Sequence, residues 1–163
     1  MKIIFLDIDG VLNHAGTEDH APGGCIGVDS KCVKALRLIV EATGAKIVLT
    51  STWKEEWSPY WERCSPDAVY LMRELAKEGL TIFSKTVDDI VHRGTGIMAW
   101  LSCFGDDVGG VSDWVVLDDD IFIGYNQYTG LMSRLVKTAF GGGGLTEAHA
   151  ARAIQILNGE VTE

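Results

Sequence analysis

Near its start the chain carries the stretch Lys2-Ile3-Ile4-Phe5-Leu6-Asp7-Ile8-Asp9-Gly10-Val11-Leu12-Asn13. The first half of this stretch is a short run rich in Ile, Phe and Leu, which is typical of a strand buried on both faces of a parallel sheet. The run ends in Asp7 and Asp9, followed by Gly10, so two carboxylates stand where the strand gives way to a turn. Ligands of such sheets bind at the carboxyl ends of the strands. The stretch therefore predicts both a strand and a functional site.

The rest of the chain alternates between helical and strand-like patterns. Helices are predicted from a cap at Asp29 or Ser30 up to Gly44, and at about residues 66–77, 96–104 and 146–157. Strands are predicted at about residues 2–8, 45–49, 80–83, 114–117 and 132–138. This alternation predicts an α/β fold: a doubly wound parallel sheet with helices on both faces.

The length and hydrophobic content suit a single domain over residues 1–163. The chain has 163 residues, of which 47% are hydrophobic, so it can bury a core without disulfides or a structural metal. Two segments fall outside the core elements: a Gly-rich flap at about residues 13–27 and a Trp-rich insertion at about residues 53–65. Because little else is free to cover the site, a minimal cap is expected.

The charge balance restricts the classes of partner. The formal net charge is -9, which argues against extended non-specific binding to nucleic acid. A small phosphorylated ligand or a nucleic-acid end remains compatible, because a metal and one local cation can override the overall field. The four cysteines form no C-x-x-C pair, and no apolar run is long enough to cross a membrane. We therefore expect a cytoplasmic protein with reduced thiols and no membrane partner; the oligomeric state is not indicated.

Polar residues follow three of the predicted strands. They are Asp7 and Asp9, then Thr50-Ser51-Thr52, and then Asp118-Asp119-Asp120. Strand alternation alone would place Asp7 and Asp9 on one face of the sheet. Carboxylates gathered in a dry site repel one another, and a hard divalent cation with oxygen ligands, such as Mg²⁺, removes that repulsion. The alternative is that these acidic residues only end strands and face solvent, which is a stronger alternative for the 118–120 run than for Asp7 with Asp9.

This set of groups suits phosphoryl transfer. One carboxylate can attack phosphorus and form an acyl phosphate, and a second can protonate the leaving oxygen and then activate water. The hydroxyl and main-chain N–H groups of Thr50 and Ser51 can bind the phosphoryl oxygens. A cation, Lys85 or Arg93, can balance the developing charge.

The ordered motifs resemble those of the haloacid dehalogenase (HAD) superfamily. The string Asp7-x-Asp9-Gly10-Val11-Leu12-Asn13 is similar to the first motif of that superfamily, residues 47–51 resemble the second, and residues 115–119 resemble the acidic fourth. An Asp two positions after the nucleophile is similar to the phosphatase branch and unlike the dehalogenase branch. The resemblance therefore implies a Mg²⁺-dependent phosphomonoesterase that works through an aspartyl phosphate.

The resemblance also implies a role for each matching residue. Asp7 would be the nucleophile and a metal ligand, and Asp9 the general acid/base, with its main-chain carbonyl also touching the metal. Thr50 would bind phosphate, with Ser51 as the alternative. The remaining metal ligands would be Asp118 and Asp119, the latter directly or through water.

The third motif of the superfamily supplies a Lys or Arg near the start of the helix before the acidic motif. Arg93 fits that position best, and Lys85 is the alternative. The competing interpretation makes either residue an ordinary surface cation.

A narrower resemblance is to small HAD domains found in RNA-repair and phage proteins. It is carried by residues 49–54, 93–101, 117–120 and 144–147. It implies a nucleotidase or a phosphatase of polynucleotide ends. Two rival functions stay open: a non-catalytic module of the same fold that binds a phosphorylated ligand, and a phosphotransferase. The aromatic residues of the Trp-rich insertion could stack a base or fill the core.

Overall fold

A parallel sheet forms the centre of the molecule in the computed structural model, which describes residues 1–87, 92–104 and 109–160. The strands are β1 (Lys2–Leu6), β2 (Lys46–Leu49), β3 (Ile82–Lys85), β4 (Asp113–Asp118) and β5 (Leu135–Lys137). Their order across the sheet is β3-β2-β1-β4-β5, and every neighbouring pair is parallel. The predicted parallel sheet is therefore confirmed.

Four helices cover the two faces of this sheet. They are α1 (Ser30–Thr43), α2 (Pro66–Lys77), α3 (Arg93–Phe104) and α4 (Glu147–Leu157). Ile4 and Leu6 of β1 belong to the core shared with α1, α2 and α4. The alternate residues Ile3 and Phe5 pack with Trp100 of α3 on the opposite face. Helices on both faces confirm the predicted α/β architecture.

Local signals place most helix ends. The Asp29 side chain accepts from the Lys31 N–H and caps α1, so Asp29 rather than Ser30 is the cap, and Gly44 ends the helix in the left-handed region. Thr146 caps α4, as its position predicts.

The bounds of several elements differ from the sequence prediction: β1 ends at Leu6 and not at Ile8, and β3 lies two residues later than expected. Two further differences have a distant contact or a local turn as their cause. Helix α3 begins at Arg93, three residues before the predicted start. Gly94 lies inside its first turn. The residue there is a glycine because a Cβ would come within 2.5 Å of the main chain of Gly124. The strand predicted at residues 132–138 is shorter than expected, because Met132–Arg134 forms a 3₁₀ turn before β5.

The two segments outside the core are both anchored to it. In the flap, the Gly23 N–H donates to Asp67 of α2 and a single antiparallel bridge joins His20 to Ile26. The Trp-rich insertion contains 3₁₀ turns at Thr52–Glu55 and Trp61–Arg63.

None of the helices in the described part of the chain combines the length and hydropathy needed to span a membrane.

Candidate active site at the carboxyl edge of the sheet

The sheet register brings three of the predicted site residues into one row. Leu6 is in register with Leu49 on one side and Leu117 on the other. The next residue of each strand is therefore Thr50, Asp7 or Asp118. Hydrogen bonds continue the ladder into this row: the Thr50 N–H donates to the Leu6 carbonyl at 2.9 Å, and the Asp7 N–H donates to the Leu117 carbonyl at 2.9 Å.

Three carboxylates cluster at this edge. Each of Asp7, Asp118 and Asp119 offers an oxygen, and these oxygens all lie within 4.8 Å of one another. Asp7 and Asp118 are buried and Asp119 is partly buried. Gly10 makes room for the third carboxylate, since a Cβ on Gly10 would lie 2.2 Å from Oδ2 of Asp119.

Arg93 is buried between two of these carboxylates. Its Nη1 lies 3.0 Å from Oδ2 of Asp7 and 2.9 Å from Oδ2 of Asp118. The guanidinium stacks on the Phe122 ring, 3.8 Å from its centroid, and the Tyr125 hydroxyl donates to Oδ2 of Asp118 at 2.6 Å. Sequence reasoning missed Phe122 and Tyr125, because they lie in an irregular segment after β4 with no motif to mark them.

Burial and mutual repulsion dominate the electrostatics of the cluster. Burial, followed by the charge of Asp118, raises the pKa of Asp7 to about 6, although Arg93 opposes the shift. Burial also raises the pKa of Asp118, again against Arg93. The pKa of Tyr125 is raised by burial and by Asp118, so its hydroxyl stays protonated and donates.

The cluster fits a hard divalent cation. Oδ1 of Asp7 is buried and has no hydrogen-bond partner among the described residues, while Arg93 occupies the other oxygen. The cluster has three carboxylates and Arg93 pairs with two of them, so the cluster carries an excess of negative charge. Oδ1 of Asp7 thus lies in a negatively charged set of donors that are all oxygens, and such a set is suited to Mg²⁺. Asp7, Asp118 and Asp119 are the side chains that would hold it.

Asp9 does not join this cluster. The chain leaves the strand conformation before Asp9, since the Leu12 N–H donates to the Ile8 carbonyl at 2.8 Å and Gly10 has φ +78°. The alternation that would place Asp7 and Asp9 on one face therefore does not apply. Asp9 is exposed, and its carboxylate accepts from Asn13 instead. The metal contact of its main-chain carbonyl stays a prediction.

The two hydroxyl candidates differ in their availability. Thr50 is buried, and within the described ranges its Oγ1 has no hydrogen-bond partner. The Ser51 hydroxyl instead accepts from the Trp53 N–H at 3.5 Å and caps the 3₁₀ turn at Thr52–Glu55. The Thr50 N–H is used in the sheet ladder, so its hydroxyl is the group that favours Thr50 over Ser51 for phosphate binding.

The two candidate cations also differ. Lys85 does not face the acidic cluster: its Nζ donates to the carbonyls of Lys54 at 2.6 Å and Trp57 at 2.8 Å, which secures the Trp-rich insertion. The structure therefore does not support the predicted contact between Lys85 and phosphate, because its ammonium is bonded to these two carbonyls. Arg93 lies in the site, but its Nη1 contacts carboxylates, and a direct contact with phosphate stays a prediction.

A Gly10→Ala substitution should disturb the cluster. We expect it to weaken Mg²⁺ binding at least about tenfold and to lower the free energy of unfolding by more than the ~1 kcal/mol that left-handed backbone alone costs. The physical reason is that the new Cβ would occupy the space of the Asp119 carboxylate. Isothermal titration with Mg²⁺ and urea unfolding measure the two effects.

Gly44→Ala is the matched control for this substitution. Gly44 has φ +68°, and a Cβ there would meet nothing within 4 Å, so only the backbone strain is shared. Equal Mg²⁺ affinity and equal destabilisation in the two variants would show that Gly10 does not shape the acidic cluster.

The raised pKa of Asp7 predicts a pH dependence of stability without metal. Between the ordinary value of 3.8 and about 6 the folded state binds the proton more tightly than the unfolded state, so the stability due to this proton is lost as pH rises through that window. In chelator at pH 7.5, Asp7→Asn should therefore be more stable than the wild type, by up to about 3 kcal/mol. The gain should shrink as pH falls through this window and vanish well below pH 3.8, and urea unfolding at several pH values measures it. A less stable variant at pH 7.5 would contradict the repulsion described above.

A comparison with known families gives a match that covers the whole site. Residues 3–150 match the family model described as the HAD domain in Swiss Army Knife RNA repair proteins. Comparison with curated proteins and with solved structures gives no match.

Proposed function

Since the chain belongs to the family of HAD domains found in Swiss Army Knife RNA repair proteins, we propose that it is a Mg²⁺-dependent phosphomonoesterase with an aspartyl-phosphate intermediate. The observation that carries the proposal is the state of Asp7. One of its oxygens is held by Arg93, and the other is buried with no hydrogen-bond partner in the described part of the chain. A buried carboxylate whose orientation is fixed in this way is what an in-line attack on phosphorus requires.

The chain's own residues divide the reaction between two steps. In the first, an oxygen of Asp7 forms a bond to phosphorus while the bond to the leaving oxygen breaks, and the leaving oxygen takes a proton from Asp9. In the second, water attacks phosphorus, Asp9 takes its proton, and Asp7 is released as a carboxylate together with inorganic phosphate. Thr50 and Arg93 stabilise the phosphoryl oxygens and the charge around them. Bound Mg²⁺ would neutralise phosphate charge and hold the reacting groups in line.

We propose that the substrate is a nucleotide or a polynucleotide terminal phosphate. The family model is described from RNA repair proteins, which supports this class. The Trp-rich insertion exposes Tyr60 and Trp61, and a base could stack on either ring. The net charge of -9 favours recognition of an end over binding along a strand.

All four cysteines are free thiols, which supports the proposed cytoplasmic location.

A substrate screen tests this proposal. The panel contains an aryl phosphate, mononucleotides, sugar phosphates, and oligonucleotides phosphorylated at the 3′ or the 5′ end, each with Mg²⁺ and with chelator. We expect Mg²⁺-dependent release of inorganic phosphate, fastest from the nucleotide or oligonucleotide members. Tight metal-dependent binding without turnover would favour the non-catalytic module, and transfer to an acceptor other than water would favour the phosphotransferase.

A further inference from the structure

We propose that Trp53 is a positioning residue for Asp9, whose carboxyl group it orients through the indole N–H. The inference rests on the proposed function, because it concerns the group that exchanges a proton with the leaving oxygen. Nε1 of Trp53 donates to Oδ2 of Asp9 at 3.1 Å. This contact joins the Trp-rich insertion to the turn after β1.

Asp9 needs such a partner because of where it lies. It is exposed at a turn, so its side chain would otherwise rotate freely. Asn13 already donates to Oδ1 of Asp9 at 2.8 Å and is itself fixed by the Gly10 N–H, which donates to its Oδ1 at 2.9 Å. With Trp53 on the second oxygen, each carboxylate oxygen has its own donor and the plane of the carboxyl group is set.

Trp53 is itself held firmly. It is buried in the 3₁₀ turn that follows Thr50 and Ser51, so the phosphate-binding hydroxyl and the acid-positioning indole come from neighbouring residues. The ammonium of Lys85 donates to the carbonyl of Lys54, which follows Trp53 in the turn, and to the carbonyl of Trp57, two residues beyond the turn. Lys85 therefore braces the turn that presents the indole.

The choice of an indole has a chemical consequence. An indole N–H only donates and never accepts, so it can bond Asp9 in either protonation state without taking its proton. The proton of Asp9 then stays available to the leaving oxygen. Help from a general acid matters most where the leaving oxygen is a poor leaving group, such as an alkoxide, and little where it is an activated phenolate.

The test compares Trp53→Phe with Trp57→Phe. Trp57 is buried in the same insertion, and its Nε1 has no hydrogen-bond partner among the described residues, so the same atoms are removed without the bond to Asp9. The value of kcat/KM is measured for a series of phosphates from an activated aryl ester to an alkyl ester. We expect Trp53→Phe to lower kcat/KM about 10- to 100-fold for the alkyl ester and less than about 3-fold for the aryl ester, steepening the dependence on the leaving group.

Different results separate this inference from the proposed function. A uniform loss across all esters, or the same loss in Trp57→Phe, would show that Trp53 only packs, and would overturn the inference alone. Absence of turnover by the wild type would overturn the proposed function and the inference with it. An activity-independent readout is the indole N–H resonance of Trp53, which should move in Asp9→Asn while that of Trp57 stays in place; an unmoved Trp53 resonance would also overturn the inference.

Discussion

Asp7→Asn is expected to lower kcat for phosphate release by roughly 10³-fold or more, while the protein stays folded. The amide that replaces the carboxylate cannot form the acyl phosphate, and the substitution removes one negative charge from the cluster with Asp118 and Asp119. Because the same substitution relieves repulsion in the metal-free protein, loss of activity without loss of stability is the expected combination. Steady-state release of phosphate with Mg²⁺, together with thermal melting, measures both.

Asp120→Asn is the matched control for this variant. Asp120 belongs to the same acidic run but is exposed, and its carboxylate accepts only a local bond from the Ile121 N–H in the described structure. We expect its activity to stay within about threefold of the wild type, as is usual for an exposed side chain that contacts none of the reacting groups. Full activity of Asp7→Asn would refute the nucleophilic role.

Arg93→Met should produce the largest loss of stability in chelator. Without the guanidinium, the buried carboxylates of Asp7 and Asp118 lose the cation that pairs with both of them, and we expect a loss of about 3–5 kcal/mol at pH 7.5. Added Mg²⁺ should recover more stability in this variant than in the wild type, because it replaces part of the missing positive charge. Activity should fall by about 10²-fold or more. Urea unfolding with chelator and with Mg²⁺ measures the effect on stability.

Arg37→Met provides the comparison for a surface ion pair. Arg37 pairs with Glu41 and Glu78, and its side chain is 47% exposed. Such an exposed pair is screened by solvent and contributes little to stability. If Arg93→Met were no less stable in chelator than Arg37→Met, the two buried ion pairs would not hold the acidic cluster together.

The fold could be predicted well where local chemistry decides it. Helix α2 has the predicted bounds because Ser65 caps it and Pro66 occupies its first turn. The start of α3 could not be predicted from local sequence. A glycine at position 94 indicates a turn, whereas in the structure it lies in the helix and allows close contact with Gly124, thirty residues away. Hydrophobic periodicity and capping residues predict single helices and strands. A close approach between two elements leaves no such pattern in the sequence of either one.

The candidate site divides in the same way. Asp7 and Asp118 could be placed together because both end strands, and the register of a parallel sheet aligns those ends. The hydrogen bond from Trp53 to Asp9 could not be predicted, since it depends on how the Trp-rich insertion folds back over the turn. For the same reason the sequence could not distinguish Lys85, which serves that insertion, from Arg93, which lies between the carboxylates.

Chemical trapping of the intermediate tests the central role of Asp7 most directly. Protein mixed with substrate and Mg²⁺ is quenched with borohydride, which reduces an aspartyl phosphate to homoserine, and the peptides are sequenced by mass spectrometry. Conversion of residue 7 alone, dependent on both substrate and Mg²⁺, is the predicted result. Continued release of phosphate with residue 7 unmodified, or conversion of a different aspartate, would contradict it.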